Sequence, residues 1–272
     1  MSPQAHFIVQ DVIAREHDPR PAAEALGARI TQLTGDPRGE LLHKLDQDIR
    51  ERGERPILFC SLHVAGWTRR CTKRLAAGVD LPDAFLRHGT YTPLIPRDWR
   101  LNQEGIYLPW GIIPERAEML MDLYGGHLFI RPDSSLKPFP GFDIPNGGLL
   151  EEHRLRNATD HVDPGEMCFI APALEIDALE YRAWVIEGQV VSIAPYSWTD
   201  AHLGVSDIPE AVVQRAGALA RHLEIHRDCY TADFTIYEGE PRLVELNALS
   251  TSGWYPQADI LSVFRAADAV FL

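Results

Sequence analysis

The sequence predicts an α/β protein whose second half is mostly antiparallel sheet, an organisation that also falls within the α+β class. The first observation is the order strand, helix, helix, strand across residues 6–64, which is typical of α/β folds. The second is a pair of hairpin patterns, at 180–198 and 230–247, on either side of one long helical pattern. We therefore expect an N-terminal α/β domain over residues 1–110 and a second domain over residues 111–272.

The N-terminal part begins with "HFIVQDVI" (6–13), an apolar run that predicts a strand. The near-continuous apolar run "RPILFCSLHV" (55–64) predicts a buried parallel strand. Between them we expect a helix over 21–33, broken near Gly27, and an amphipathic helix over 41–53. The residues that follow, rich in Pro, Gly and aromatic side chains over 85–115, predict irregular structure.

The second half starts with a helical pattern over 114–126, with proline at its start and glycine past its end. Strands are expected over 127–133 and 167–176, the latter interrupted by Pro172 because proline cannot donate to a sheet. The hairpin over 180–198 turns at Glu187 and Gly188. A helix is expected over 209–224, with Ser206 or Asp207 as its cap.

The composition limits the class of protein. The chain has 272 residues, 45% hydrophobic and 24% charged, which is ordinary for a globular protein, and its formal net charge is −13. That charge argues against nucleic acid or an anionic membrane as a partner. The basic run "RRCTKR" (69–74) is interpreted as a solvated helix face rather than a binding patch.

Neither targeting nor redox signals are expected in this chain. The four cysteines are scattered without metal-binding spacing, so neither a disulfide framework nor a zinc site is predicted. The N-terminus lacks the pattern of a signal peptide, and no stretch reaches the roughly 18 apolar residues of a membrane span. Together these features predict a cytoplasmic protein.

The stretch "YTADFTIYEGEPRLVELN" (230–247) carries an acid on each strand of a hairpin. With Gly239 at the centre of the turn, Asp233 lies opposite Glu245, and the two share a face with Asn247. Opposed like charges destabilise a sheet, so a cation is expected to offset the repulsion, and Mg²⁺ prefers such oxygen ligands. The alternative is a solvated polar face with no metal.

Three cations could contact an anion. Arg131 ends a strand and Lys137 lies in a loop rich in Pro and Gly, so they could clamp phosphates or be ordinary surface cations. Alternation along its strand places Arg182 on the same face as Trp184 and Ile186. An arginine in apolar surroundings predicts a bound anion or a salt bridge, here to Glu180 or Asp177. The backbone freed near Pro172 could offer hydrogen bonds to a flat base.

The order of these features resembles the ATP-grasp superfamily. The features are a cation before a Gly-containing loop, a strand that leaves the sheet, a Glu-Tyr-Arg strand, a helix, and then Asp on one strand with Glu-x-Asn on the next. The nearest resemblance is to amino-acid-ligating members such as the ribosomal-protein glutamate ligases, and to small bacterial and phage ATP-grasp proteins. It covers roughly residues 110–256 and implies an ATP-grasp fold, with residues 1–110 as the preceding α/β domain.

The resemblance implies a role for each matching residue. Asp233, Glu245 and Asn247 match the ligands of Mg²⁺, with Mn²⁺ as an alternative cation. Arg131 stands where the family usually has a lysine on the phosphates, Lys137 and Gly141 match the phosphate flap, and Arg182 matches an arginine on phosphate. Arg131, Lys137 and Arg182 would thus be the catalytic cations. The hinge that holds ATP matches Phe169–Glu175, which gives as contacts Ile170, Ala171, Ala173, Glu175 and Asp177, either of the last two for the ribose.

The activity that the resemblance implies is ATP-dependent ligation of a carboxylate to an amine through an acyl phosphate, releasing ADP and phosphate. The acid and the amine acceptor could each belong to a small molecule, and the acceptor also to a peptide or protein. Trp254 and Tyr255 could shape the acceptor site or simply pack. The alternatives are a nucleotide-binding regulatory protein of the same fold, a phosphotransferase, or an α/β protein with an acidic surface hairpin. The oligomeric state is left open, a homodimer included.

Overall fold

The computed structural model describes residues 3–15, 17–37, 39–80, 83–145, 161–197 and 207–271. These form two compact units, neither of which is one continuous stretch of chain. Unit 1 comprises Met1–Leu81, Ala178–Phe234 and Glu245–Leu272, and unit 2 comprises Pro82–Asp177 and Thr235–Val244. The units follow contacts rather than chain order, and the linear domain boundary near residue 110 stays a prediction.

The N-terminal part of unit 1 is a parallel three-stranded sheet in the order β2-β1-β3. Every residue of β1 is buried, because this central strand is paired on both edges and covered on both faces. The strands are β1 Ala5–Gln10, β2 Arg29–Leu33 and β3 Arg55–Phe59. The helices are α1 Asp11–Ala14, α2 Arg20–Ala25, α3 Gly39–Arg52, α4 Leu62–Cys71 and α5 Arg74–Ala77.

Two element predictions in this part are wrong. The helix expected over 21–33 ends at Ala25, and its last residues form β2, because pairing with β1 outweighs the weak helical pattern of the segment. The strand expected over 55–64 ends at Phe59. Helix α4 then begins after Ser61, whose hydroxyl accepts a hydrogen bond from the backbone N–H of Val64 at 3.3 Å.

The second sheet has the order β11-β10-β8-β9, and β8 pairs antiparallel with both β9 and β10. The predicted hairpin turn is confirmed, with Glu187 and Gly188 at φ 48° and 68°. Its strands are β8 Leu179–Ile186, β9 Gln189–Ser197, β10 Cys229–Tyr237 and β11 Glu240–Asn247. The tip of the β10–β11 hairpin, residues 235–244, is grouped with unit 2.

Two further helices complete unit 1, α8 Glu210–Leu223 and α9 Ile260–Val270. The predicted side-chain cap of α8 is wrong for Asp207, since Pro209 holds the N-cap position without a side-chain hydrogen bond. The other candidate, Ser206, lies outside the described residues. Proline is suited to this position because its fixed φ favours the entry into a helix.

One aromatic core ties the parts of unit 1 together. Phe7 of β1 stacks on Phe264 of α9, with ring centroids 3.9 Å apart, and Phe59 of β3 meets the edge of Trp254 at 5.3 Å. Trp184 of β8 belongs to the same cluster. Each such buried side chain contributes about 1.5–3 kcal/mol through removal of apolar surface from water. Trp254 is fully buried here, which supports the packing interpretation of this residue over a place in an acceptor site.

Unit 2 is built on an antiparallel sheet in the order β4-β7-β5-β6. Helix α7 packs on one face of it, through a core that includes Trp110, Leu120 and Ile130. Strand β7 ends at Pro172, as the proline predicts. The elements are β4 Ile106–Pro109, β5 Leu128–Pro132, β6 Phe142–Ile144, β7 Met167–Pro172, α6 His88–Tyr91 and α7 Ile113–Leu123.

The region expected to be irregular, 85–115, consists of short segments, as its proline content predicts. Besides α6 and β4 it contains 3-10 turns, at Ala84–Leu86, Thr92–Leu94, Arg97–Trp99 and Trp110–Ile112. None of the described helices is long and apolar enough to cross a membrane. All four cysteines are free thiols, which agrees with the expectation that they form no disulfide framework.

Candidate functional site

The most strongly charged cluster of unit 1 is centred on a buried ion pair. Arg182 of β8 lies directly opposite Asp233 of β10 in the strand register. Its Nε and Nη2 donate to Oδ1 and Oδ2 of Asp233, at 2.8 Å and 2.7 Å. Asp233 is completely buried, and Arg182 is 8% exposed. Burial disfavours a charged guanidinium, but the Asp233 carboxylate outweighs this effect and holds the pKa of Arg182 above its ordinary value.

The sequence analysis named other partners for Arg182, and that expectation is wrong. Among the described residues its ion pair is with Asp233, rather than with Glu180 or Asp177. Its remaining hydrogen bond goes from Nη1 to the backbone oxygen of Gly253 at 3.2 Å. The expected anion is therefore a residue of the chain itself, 51 positions further along.

Asn247 joins the two carboxylates of the hairpin. Its Nδ2 donates to Oδ2 of Asp233 at 3.1 Å and to Oε1 of Glu245 at 3.0 Å. A single N–H₂ group, which is electropositive, thus lies between two acids. Asp233, Glu245 and Asn247 are brought together as the sequence predicted, with Glu245 and Asn247 only half-buried.

The hairpin reaches this arrangement by a different route from the one expected. The turn contains two residues, Glu238 and Gly239, at φ 52° and 80°, and is not centred on Gly239. A regular ladder from such a turn would place Asp233 opposite Val244. However, buried positions along β11 change from 241 and 243 to 246, so the alternation slips by one residue before Glu245. That slip brings Glu245 and Asn247 to the face of Asp233.

The donor set fits a hard divalent cation. The two carboxylates converge on one atom of Asn247, at the point where a cation would also offset their repulsion, and the amide can present its oxygen there instead of its nitrogen. Across the described part of the chain, no group of three or more His, Cys, Asp or Glu side chains forms a metal-binding cluster. The cation would thus be bound by few protein ligands, as is usual for Mg²⁺.

Glu180 adds a second buried acid to this face of the sheet. It lies two residues before Arg182 and opposite Tyr196, whose hydroxyl donates to its Oε2. Its Oε1 is buried without a hydrogen-bond partner. Burial, with repulsion from Asp233 and Glu245, raises the pKa of Glu180 to about 8, although the Tyr196 hydroxyl and Arg182 oppose the change.

The sequence analysis assigned no functional role to Glu180 or to Tyr196. A signal was present, because strand alternation places Glu180 and Arg182 on one face. Burial also raises the pKa of Tyr196 well above its ordinary value, with Asp233 and Glu180 adding to the effect. Tyr196 stacks on Tyr255, with centroids 4.2 Å apart and ring planes 2° from parallel.

The predicted phosphate cations lie on the β5–β6 connection of unit 2. Arg131 of β5 is half-buried, and its Nη1 donates to the backbone oxygen of Val244 at 3.2 Å. Lys137 has φ 47°, in the left-handed region, within a turn in which its N–H bonds to Ser134 O at 3.2 Å. At Gly141 a Cβ atom would lie 2.8 Å from Cζ of Phe129, so this glycine is needed for packing of the loop against β5.

The predicted hinge residues follow β7 and its end. Ala171 is buried and pairs with Phe129 of β5, whereas the side chain of Ile170 belongs to the core and leaves only its backbone for a ligand. Ala173 donates its N–H to His127 O at 3.0 Å. Both predicted ribose ligands, Glu175 and Asp177, are exposed.

Comparison with known proteins places this geometry in a known fold. Residues 140–267 match a family model described as an ATP-grasp domain, the third family of its clade. No curated protein sequence matches the chain. The structures that resemble it are all less than 25% identical, so the likeness establishes the fold alone.

Three solved structures illustrate that likeness. D-cycloserine synthetase DcsG is 13% identical with a TM-score of 0.59, over 98% of this chain and 100% of that one. The ADP complex of PurK, N5-carboxyaminoimidazole ribonucleotide synthetase, is 11% identical with a TM-score of 0.60, over 98% and 77%. The L-amino acid ligase from Bacillus licheniformis is 14% identical with a TM-score of 0.54, over 91% and 69%. The ATP-grasp fold expected from the sequence is thereby confirmed.

Proposed function

Since the chain carries an ATP-grasp domain, we propose that it is an ATP-dependent ligase that joins a carboxylate to an amine in the cytoplasm. The observation that carries the proposal is the convergence of Asp233, Glu245 and Asn247 beside the buried Arg182. This arrangement supplies oxygen ligands for a cation and a guanidinium for an anion on one face of one sheet. The names of the similar structures, which include synthetases and an amino acid ligase, support the same class of reaction.

Glu245 and Asn247 are the residues best placed to hold Mg²⁺. They are half-buried, whereas Asp233 is fully buried and its oxygens accept three hydrogen bonds, two from Arg182 and one from Asn247. Asp233 would therefore act partly by holding Arg182 in place. When bound, Mg²⁺ would neutralise phosphate charge and so favour transfer of the γ-phosphoryl group.

The proposed reaction has two steps. An oxygen of the substrate carboxylate attacks the γ-phosphorus of ATP, the bond to the β–γ bridging oxygen breaks, and ADP leaves with the electron pair. The amine nitrogen then attacks the carbonyl carbon of the acyl phosphate, inorganic phosphate leaves, and the nitrogen loses a proton. Such transfers depend on positioning and charge stabilisation more than on covalent help from the protein.

Arg182 is the residue of this chain most directly suited to charge stabilisation. Three of its five N–H groups are used by Asp233 and Gly253, which fixes the guanidinium and leaves two donors for a substrate oxygen. Fixed donors of this kind do not reorganise as charge develops. The phosphate roles assigned to Arg131, Lys137 and Gly141, and the adenine and ribose roles of residues 169–177, remain predictions from the resemblance.

The decisive experiment is calorimetric titration of the wild type with a non-hydrolysable ATP analogue, with and without Mg²⁺. It is repeated on Glu245→Gln, which removes one negative charge from a half-buried side chain and keeps its shape. We expect Mg²⁺-dependent binding to the wild type and a loss of that dependence in the variant. Glu240→Gln, an exposed acid in the same hairpin, is the matched control and should bind like the wild type.

Turnover is tested next by ADP release in the presence of candidate acids and amines, with amide formation followed by mass spectrometry. An amide product with ADP supports the ligase. A phosphorylated product without an amide would support the phosphotransferase, and Mg²⁺-dependent nucleotide binding without ADP release would support the regulatory protein. If the wild type does not bind the analogue, or if Glu245→Gln binds it equally well, the acidic hairpin is a surface feature and the proposal is wrong.

A further inference from the structure

Arg15 follows helix α1, at the carboxyl end of β1, and the backbone on both sides of it is fixed. Ile13 accepts a hydrogen bond from the N–H of Trp254 at 2.9 Å, and Nε2 of His17 donates to the oxygen of Tyr255 at 2.6 Å. These bonds hold the Arg15 loop against residues 253–255, which directly follow the carboxylate strand β11 in the chain. The carboxyl ends of parallel strands are where α/β proteins commonly bind ligands.

The side chain of Arg15 lies over an aromatic ring. Its Cζ is 4.7 Å from the centroid of Tyr255. Because Tyr196 stacks on one face of that ring, Arg15 occupies the other. A Cβ atom on Gly253 would lie 3.1 Å from Nε of Arg15, so the glycine leaves the space that the guanidinium uses.

Arg15 also carries backbone strain. Its φ of 52° with ψ of −115° is unusual for a residue with a side chain. Such strain costs of the order of 1–3 kcal/mol and tends to occur at functional sites. Within the described residues, no carboxylate or hydrogen-bond acceptor is paired with the exposed Arg15 guanidinium.

The second cation of this site is Arg182. Its Nη1 donates to the oxygen of Gly253, and its Cζ lies 5.2 Å from the Tyr255 centroid. Two guanidiniums thus flank the same glycine and the same tyrosine. The charge of Arg182 is matched by Asp233, whereas that of Arg15 has no such partner in the described structure.

We propose that Arg15 binds a carboxylate group of a substrate that is not the group being activated. The substrate would then be an amino acid or a dicarboxylic acid, since it must carry this carboxylate in addition to the reacting acid or amine. A planar guanidinium with five free donors matches a carboxylate through two parallel hydrogen bonds. The aromatic platform fixes the plane of the guanidinium before the substrate arrives. This inference rests on the proposed ligase function for the identity of its ligand.

The test uses pairs of probes that differ by one carboxylate, glutamate against 4-aminobutyrate and aspartate against β-alanine. Binding is measured by ligand-observed NMR and by thermal shift, with Mg²⁺ and the non-hydrolysable ATP analogue present. We expect at least one member with the extra carboxylate to bind the wild type more tightly than its partner. Arg15→Gln should weaken that binding by about tenfold or more, and Arg15→Lys by less, since a lysine keeps the charge but not the fork.

Two further variants separate this role from a structural one. Arg20→Gln removes a neighbouring exposed arginine that is paired with Asp18, and it should bind the probes like the wild type. Gly253→Ala displaces the Arg15 guanidinium without removing it, and should weaken the same probe that Arg15→Gln weakens. Circular dichroism of each variant checks that it folds.

The inference is overturned if no probe pair is discriminated by the wild type, or if Arg15→Gln leaves the discrimination unchanged. It is also overturned if Arg15→Gln weakens the ATP analogue alone by the same factor, because Arg15 would then contact phosphate. Failure of the ligase proposal would be visible separately, as absent ADP release. Discrimination of the probes that depends on Arg15 would support the carboxylate site even in that case.

Discussion

Arg182 and Asp233 lie opposite each other on neighbouring strands and share two hydrogen bonds, from Nε at 2.8 Å and from Nη2 at 2.7 Å. The pair is almost completely removed from water. It connects the site to the stability of the sheet, because either charge would be costly to bury without the other.

Asp233→Asn is therefore expected to destabilise the protein strongly. The variant leaves the guanidinium of Arg182 buried without its counter-charge, which typically costs about 3–5 kcal/mol. The free energy of unfolding, measured by urea denaturation, checks this. The control is Arg97→Gln, which breaks the exposed pair with Glu104 and should cost less than about 1 kcal/mol. A similar small cost for both variants would contradict the importance of the buried pair.

Glu180 predicts an unusual dependence of stability on pH. Its pKa is about 8 in the folded protein and has an ordinary value of 4.5, so the folded state holds the proton more tightly. The stabilisation by the protonated carboxyl is full below about pH 4.5 and is lost as pH rises to about 8. Glu180→Gln cannot ionise, and near pH 8 it should be more stable than the wild type by a few kcal/mol.

Thermal unfolding of the wild type and Glu180→Gln across this pH range makes the comparison. The difference between them should shrink as the pH falls toward 4.5. If the two curves run parallel, Glu180 ionises in the folded state at an ordinary pKa.

Asn247→Asp tests the site for a cation without any turnover. A third carboxylate beside Asp233 and Glu245 replaces the amide donor that lies between them, so we expect lower stability without metal. Mg²⁺ should then raise the melting temperature of the variant more than that of the wild type, since a ligand that binds only the folded state stabilises it. Ca²⁺ and a monovalent salt at matched ionic strength serve as controls. An equal rise in both proteins would argue against a cation at this position.

Gly141→Ala should destabilise unit 2 by about 1–3 kcal/mol, because its Cβ would lie 2.8 Å from the Phe129 ring. Phe129→Leu removes the end of that ring and should relieve part of the clash. Unfolding free energies of the two single variants and the double variant form the test. An additive double variant would show that the ring is not what excludes a side chain at residue 141.

Local chemistry in the sequence was enough to predict several elements. The Glu187-Gly188 turn, the end of β7 at Pro172 and helix α3 follow from residues close together in the chain. The acids of the 230–247 hairpin could also be grouped, because alternation and a tight turn limit which side chains share a face. The segment Arg29–Leu33 was assigned to a helix because its strand character comes only from pairing with β1.

The partners within the site depended on the tertiary structure. The order β11-β10-β8-β9 places Asp233 beside Arg182, and no local pattern specifies which distant strands become neighbours. The slip in alternation before Glu245 and the contact of Arg15 with Tyr255 likewise arise from packing between segments far apart in the chain. Sequence by itself determined which residues could carry charge and turn the chain. Only the folded sheets decided which charges meet, because register and burial are set by long-range contacts.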